Sequence, residues 1–176
     1  MVANDPWDCL YEGMLPFHEH FRATLNQIRM LLPSTDAASG SKNRAQTLTA
    51  VLSLSHRLCR SLEAHHMIEE QFIFPKLSAK LPQFAPSSQH TSEHETMHHA
   101  LESLQSEVER LALQLRKGKT KDRELDNYYD YADFNSRLKI LAETLLPHLE
   151  AEEKSLRAES VKAAGFKLNE IQGLIR

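Results

Sequence analysis

The stretch that most restricts what this chain can become is Glu63-Ala-His65-His66-Met-Ile-Glu69-Glu70-Gln-Phe72-Ile-Phe74-Pro75. It reads as helix up to Pro75, which is expected to stop it. Positions four apart lie one turn apart on one face of a helix, so His65 with Glu69, or His66 with Glu70, can aim a nitrogen and an oxygen at one point. That is a metal-chelating arrangement. A segment committed to burying imidazoles and carboxylates together needs neighbours that supply more donors.

Histidine recurs at comparable places. The ten histidines gather mostly at His18/His20, His65/His66, His90 to His99, and His148. The sequence holds four His-x-x-x-Glu pairs where chance placement of this composition gives about one. The pairs fall on three predicted helices, and a fourth helix carries His18 near its start.

The first helix is expected from about Pro16 to Leu32, with an apolar stripe of Phe21, Leu25, Ile28 and Leu32 and His18 on the same side. His20 lies about 200° round and faces solvent. Ser34 to Asn43 reads as a loop. The second helix runs from about Lys42 to Phe74, burying Leu48, Val51, Leu52, Leu58, Leu62, Ile68 and Phe72, with His56 on the outer face. Pro75 to Ser88 connects to a third helix, capped by Ser87 or Ser88 and ended by Gly118. The fourth runs from about Asn127 to Leu156, with a kink expected at Pro147, and a short last helix, about Ser160 to Ile175, is broken by Gly165 and Gly173.

No segment alternates with period two, so the fold class is all-α. Four long helices with connectors of about ten residues make an up-down-up-down bundle, expected over 1–158, with 159–176 as a C-terminal helix packed on it. At 176 residues the chain can bury a substantial core without disulfides, and Cys9 and Cys59 show no metal-type spacing. A net charge of −3 without a basic block argues against nucleic acid. The acidic start and the lack of a long apolar run argue against a leader or a membrane span, and a cytoplasmic protein is expected.

In a bundle, inward side chains of four helices meet at one level. Five imidazoles and two carboxylates exceed the four donors of a tetrahedral zinc. They suit two ions of higher coordination number, and donors without thiolate favour iron or manganese.

The order His18…His65-x-x-x-Glu69…His94-x-x-x-His98…His148-x-x-x-Glu152, with Phe74-Pro75 after the second-helix pair, resembles a hemerythrin-like (HHE cation-binding) domain over about residues 14 to 157. The segments His18 to Asn26 and His148 to Glu152 are most similar to fungal members. The resemblance implies that His94, His98 and His148 hold one iron, that His18 and His65 hold the other, and that Glu69 and Glu152 bridge them with an oxo or hydroxo group. It also implies an open position on the second iron for dioxygen or another small diatomic. Phe21, Ile68, Phe72, Leu101 and Leu145 are expected as the apolar shell.

Alternatives remain at three places. His66 with Glu70 competes with His65 and Glu69, although the earlier pair keeps the family's distance to Phe74-Pro75. His90 with His94 competes with His94 and His98, and Glu153 with Glu152. The resulting expectation is a non-haem di-iron protein that binds a diatomic or handles iron. Alternatives are a di-iron oxygenase or oxidase acting on a small organic substrate, and a metal-free or zinc-bound helical interaction module. Whether the chain is an enzyme, and which redox partner serves it, the residues leave open.

Overall fold

A computed structural model describes residues 5–117 and 122–174. Within them the chain is helical, with no strand. A short 3-10 turn, Pro6–Asp8, is capped by the Asp5 carboxylate, which accepts from the Trp7 backbone N–H at 3.0 Å. Helix α1, Cys9–Leu31, follows directly. It begins seven residues before the expected start because Leu10 is buried, and Pro16 is accommodated inside it. The hydrogen bond that Pro16 forfeits falls on a face where Glu12, Gly13 and Pro16 are all exposed, so water can serve the freed Glu12 carbonyl.

Two 3-10 turns and Gly40, in the left-handed region at φ 68°, lead into α2, Arg44–Ile68. A π-helical turn, Glu69–Ile73, and the short α3, Phe74–Leu77, extend the same rod. Pro75 therefore does not end the helix. It sits in the first turn of α3, where a missing N–H is tolerated.

Helix α4, Gln89–Arg116, starts after Ser88, whose backbone N–H donates to Thr91 Oγ1 at 3.1 Å. The expected stop at Gly118 lies outside the described residues. A single turn, α5, Asp122–Leu125, precedes α6, Tyr131–Ser155, which Asp130 caps by accepting from the N–H groups of Ala132 and Asp133. Pro147 lies within α6 without ending it. The last helical segment, expected to break at Gly165, forms two short helices, α7, Ala158–Ala163, and α8, Leu168–Gln172. Gly165, at φ 75°, separates them.

Among the described residues, α1, α2, α4 and α6 are the four long helices, of 23 to 28 residues. Each packs on the next, and α1 closes on α6. His18 in the first half of α1, His65 at the end of α2, His94 at the start of α4 and His148 near the end of α6 lie at one level. Successive rods therefore run in opposite directions, as short connectors require.

Two hydrophobic clusters result. The larger fills the bundle with Leu25, Ile28, Leu48, Leu58, Leu62, Leu104, Leu111, Phe134 and Leu141. The smaller closes the end beyond the histidines, joining Leu10, Phe74, Leu77, Phe84 and Leu156 to Val161, Phe166 and Ile171 of the C-terminal segment.

The opposite end is latched by polar contacts. Arg44 donates to both Asp126 carboxylate oxygens and to the Thr35 carbonyl, Asp122 accepts from the Ala45 N–H at 2.8 Å, and Thr35 meets the Tyr129 hydroxyl at 2.6 Å. Asp122 thus caps α2 from across the bundle.

Leu104 is fully buried whereas Ile140 is half exposed. Leu104→Ala is expected to destabilise the fold by about 2–5 kcal/mol, as cavity-forming core substitutions do. Ile140→Ala should stay within about 0.5 kcal/mol. Urea unfolding of the two variants decides, and similar losses would contradict the packing.

Candidate metal centre

The π-helical turn sets the phase of everything after His65. Up to Glu69 the rod buries Leu58, Leu62, His65, His66 and Glu69; after the wide turn it buries Phe74 and Leu77. An unbroken α-helix would bring Phe72 inward next. One extra residue in the turn rotates Phe72 out, leaving it 58% exposed, and Ile68 is half exposed as well. These two therefore correct the expected apolar shell; Phe21, Leu101 and Leu145 are buried as expected.

At this level the imidazoles and carboxylates converge. His18, His65, Glu69 and Glu152 each offer an atom within 4.8 Å of the others, and so do His66, His94 and His148. The carboxylates link the two groups. Glu69 lies 2.9 Å from His65 Nε2 through Oε1 and 3.6 Å from His94 Nε2 through Oε2. Glu152 Oε2 lies 3.4 Å from His18 Nε2 and 3.7 Å from His148 Nε2.

The outward ring nitrogens determine what the inward ones can be. His18 Nδ1 lies 2.9 Å from Glu153 Oε1, which also accepts from Arg22 at 2.7 Å. His94 Nδ1 lies 2.8 Å from Glu70 Oε1, and His148 Nδ1 lies 2.8 Å from Glu93 Oε2. An ionised carboxylate only accepts, so each Nδ1 carries a proton, and a ring in its neutral form turns an Nε2 lone pair to the centre. His94 Nε2 and His148 Nε2 then face each other at 3.1 Å as two lone pairs. With both rings neutral, a cation between them answers that geometry.

Further atoms agree with it. His18 Nε2, His65 Nε2, His66 Nε2 and both oxygens of Glu69 and of Glu152 are buried without an aligned hydrogen bond. Buried polar atoms left in that state cost about 1–3 kcal/mol each. A set of unmatched donors converging from four helices is what a metal pair needs.

Burial shapes the proton affinities. It pushes His65 down to about 4, against the pull of Glu152, and with the His148 charge it brings His94 down to about 3. His66 is driven down as well. Burial and the neighbouring Glu152 raise Glu69 well above the usual carboxylate range. Burial pushes Glu152 upward too, but the imidazoles of His18, His148 and His65 outweigh it and hold it low. His65, His66 and His94 are thus neutral at ordinary pH.

Of the seven residues expected from the sequence, the structure brings together His18, His65, Glu69, His94, His148 and Glu152, and it leaves His98 outside. His98 is 58% exposed and lies 3.1 Å from Glu102. The reason is the seam of α4: His90, His94, Met97, Leu101, Leu104, Val108 and Leu111 are buried at alternating spacings of four and three. His98 follows Met97 and so points about 100° away. That spacing was visible in the sequence and would have excluded it.

His66, held there as an alternative, is inside, stacked on His94 with ring centroids 3.9 Å apart. Its signal is the broad buried face of α2, which takes adjacent positions at Val51/Leu52, Leu54/Ser55 and Leu58/Cys59 before His65/His66. His90 is buried too, but both its nitrogens are occupied, by Glu93 at 3.2 Å and Ser155 Oγ at 3.1 Å. It steadies the Glu93 carboxylate that orients His148. Glu153 and Glu70 act from behind His18 and His94. His20, His56 and His99 face solvent.

A model of the hemerythrin HHE cation-binding domain matches residues 9–157. The chain belongs to this hemerythrin HHE family. No curated protein and no solved structure matches it. Cation binding is the property the family's name carries, and the donors described above lie within the matched span.

Two outcomes follow for this HHE domain. Glu153→Gln should weaken metal binding about 10–100-fold, because the His18 tautomer loses its anchor; a chelator competition titration measures it. Below pH 6.5 the folded metal-free protein binds fewer protons than the unfolded chain at His65 and His94. Its stability should therefore fall as pH drops from about 6.5 toward 4, by on the order of a few kcal/mol. The raised Glu69 works in the opposite sense but is a single group. Urea midpoints after chelation at pH 7.5, 6.0 and 4.5 test this, and an unchanged midpoint would contradict neutral buried rings.

Proposed function

We propose that this HHE domain holds two iron ions in the bundle core and binds dioxygen or another small diatomic there, in a reducing, cytoplasmic compartment. The observation that carries the reading is the placement of the carboxylates. Glu69 and Glu152 each reach an imidazole of both donor groups, as bridging ligands of an ion pair do.

His18 and His65 would hold one ion and His66, His94 and His148 the other. Imidazole and carboxylate without thiolate suit iron, and seven donors exceed what one zinc takes. Bound iron supplies a reversible change of oxidation state next to a vacant coordination position. The chain's own part is to orient and to exclude water. Glu153, Glu70 and Glu93 fix the tautomers, while Phe21 edge-on to His65 and Phe74 stacked on His94 close the site.

The His18/His65 side offers one imidazole fewer, so an ion held there would be the one left with room for an exogenous ligand. Both cysteines are free thiols, which suits a reducing compartment. Among the described residues no helix is long and apolar enough to cross a membrane. The metal-free alternative is disfavoured by the facing lone pairs of His94 and His148. A di-iron oxygenase remains second, favoured by an apolar groove beside His65.

The test is anaerobic loading with ferrous iron, metal counting, then admission of oxygen while the visible spectrum is followed. Two irons per chain and a band that reverses on deoxygenation are expected. His66→Ala should lose iron and His98→Ala should keep both. One metal or none in the parent, or equal loss in the two variants, would refute the assignment.

A further inference from the structure

Two grooves approach the donor cluster from different sides, and their chemistry differs. One, of about 880 Å³, reaches His66 and His94 between walls that mix Phe74, Phe84 and Leu101 with the charged Glu63, Glu70 and Glu95. The other, of about 770 Å³, lies between α1 and the end of α2 and reaches His65 and Glu69. Its walls are apolar, built from Leu10, Met14, Phe17, Ile68, Ile73 and Leu156, and the C-terminal Leu174 also lines it.

Three features bear on what the second groove holds. Its volume is in the range of sites that enclose a drug-sized organic molecule, and a diatomic needs only a small part of it. Among the described residues no lysine or arginine lines it, the imidazoles of His20 and His65 are balanced by the Glu69 carboxylate, and the remaining walls are apolar, so an uncharged ligand fits it better than an anionic one. Phe17 is 56% exposed and stacks on His65 with centroids 5.5 Å apart, placing an aromatic face at the mouth beside a donor residue.

We propose that this groove is a binding site for an uncharged, apolar organic molecule, an aliphatic or aromatic compound of roughly ten carbons, seated against Phe17 with one end toward His65. Binding itself requires only the groove. What the seated molecule would meet at that end rests on the reading of the core as a metal centre.

The test uses the full chain, iron-loaded and chelated, with 1-aminoanthracene as an uncharged fluorescent probe and 1-decanol and decanoate as competitors. One saturable probe site per chain is expected, displaced by decanol and at least tenfold less well by decanoate. Ser61→Trp, which fills the groove, and Met14→Asp, which charges its wall, should each weaken the probe at least tenfold. Glu95→Trp in the opposite groove should leave it unchanged, with circular dichroism confirming that all three fold.

No saturable binding, equal binding in Ser61→Trp, Met14→Asp and the parent, or preference for decanoate would overturn the proposal. So would probe uptake that tracks dimer formation in sedimentation equilibrium, or that occurs only with phosphatidylcholine vesicles present, since a second copy or a bilayer would then be the occupant. Iron content is counted separately. A parent that binds the probe without taking up iron refutes the metal centre alone, and one that takes up iron without binding the probe refutes the groove alone.

Discussion

Everything at the functional end of this bundle follows from one electrostatic demand: neutral imidazoles and two carboxylates point their unshared electron pairs into a small, dry space. In such surroundings each unmatched acceptor is costly, and the cost grows as more converge. The fold meets the demand at the periphery by giving His18, His94 and His148 a carboxylate behind the ring. Those outer contacts hold the proton of a neutral ring on Nδ1, so its inner nitrogen faces the core as a lone pair, complementary to positive charge before any ion arrives.

Holding that arrangement requires four rods in fixed register, and the remainder of the molecule supplies it. At the far end, Arg44, Asp122, Asp126, Thr35 and Tyr129 tie the start of α2 to the start of α6 and to the turn after α1. At the near end, Leu10, Phe74, Phe84 and Leu156 close over the donors with help from α7 and α8. Arg157 stacks over Tyr11 at 3.4 Å and Lys162 meets Asp5 at 2.6 Å, joining the two ends of the chain there.

The π-helical turn does two things at once. It keeps Glu69 inward beneath His65 and His66, and it moves the buried stripe on by one residue so that Phe74 and Leu77 cover the end of the core. The same shift turns Phe72 outward, while Ile68, which precedes the turn, is half exposed along the groove. A regular helix could supply the chelating pair, but it would bury Phe72 in place of Phe74.

The all-α class, the four long rods and six of the donors that meet in the core were legible in the residues, because helical periodicity and His-x-x-x-Glu spacing are properties of a single rod. Even the exclusion of His98 was available from the four-three rhythm around Met97. The sequence could not say that Glu153 stands behind His18 while Glu152 reaches the centre, or that His90 serves Glu93. Those choices depend on how far each helix is rotated about its own axis and where its neighbours' acceptors lie. That rotation is decided by packing between rods and by one extra residue in a turn, neither of which any single segment encodes.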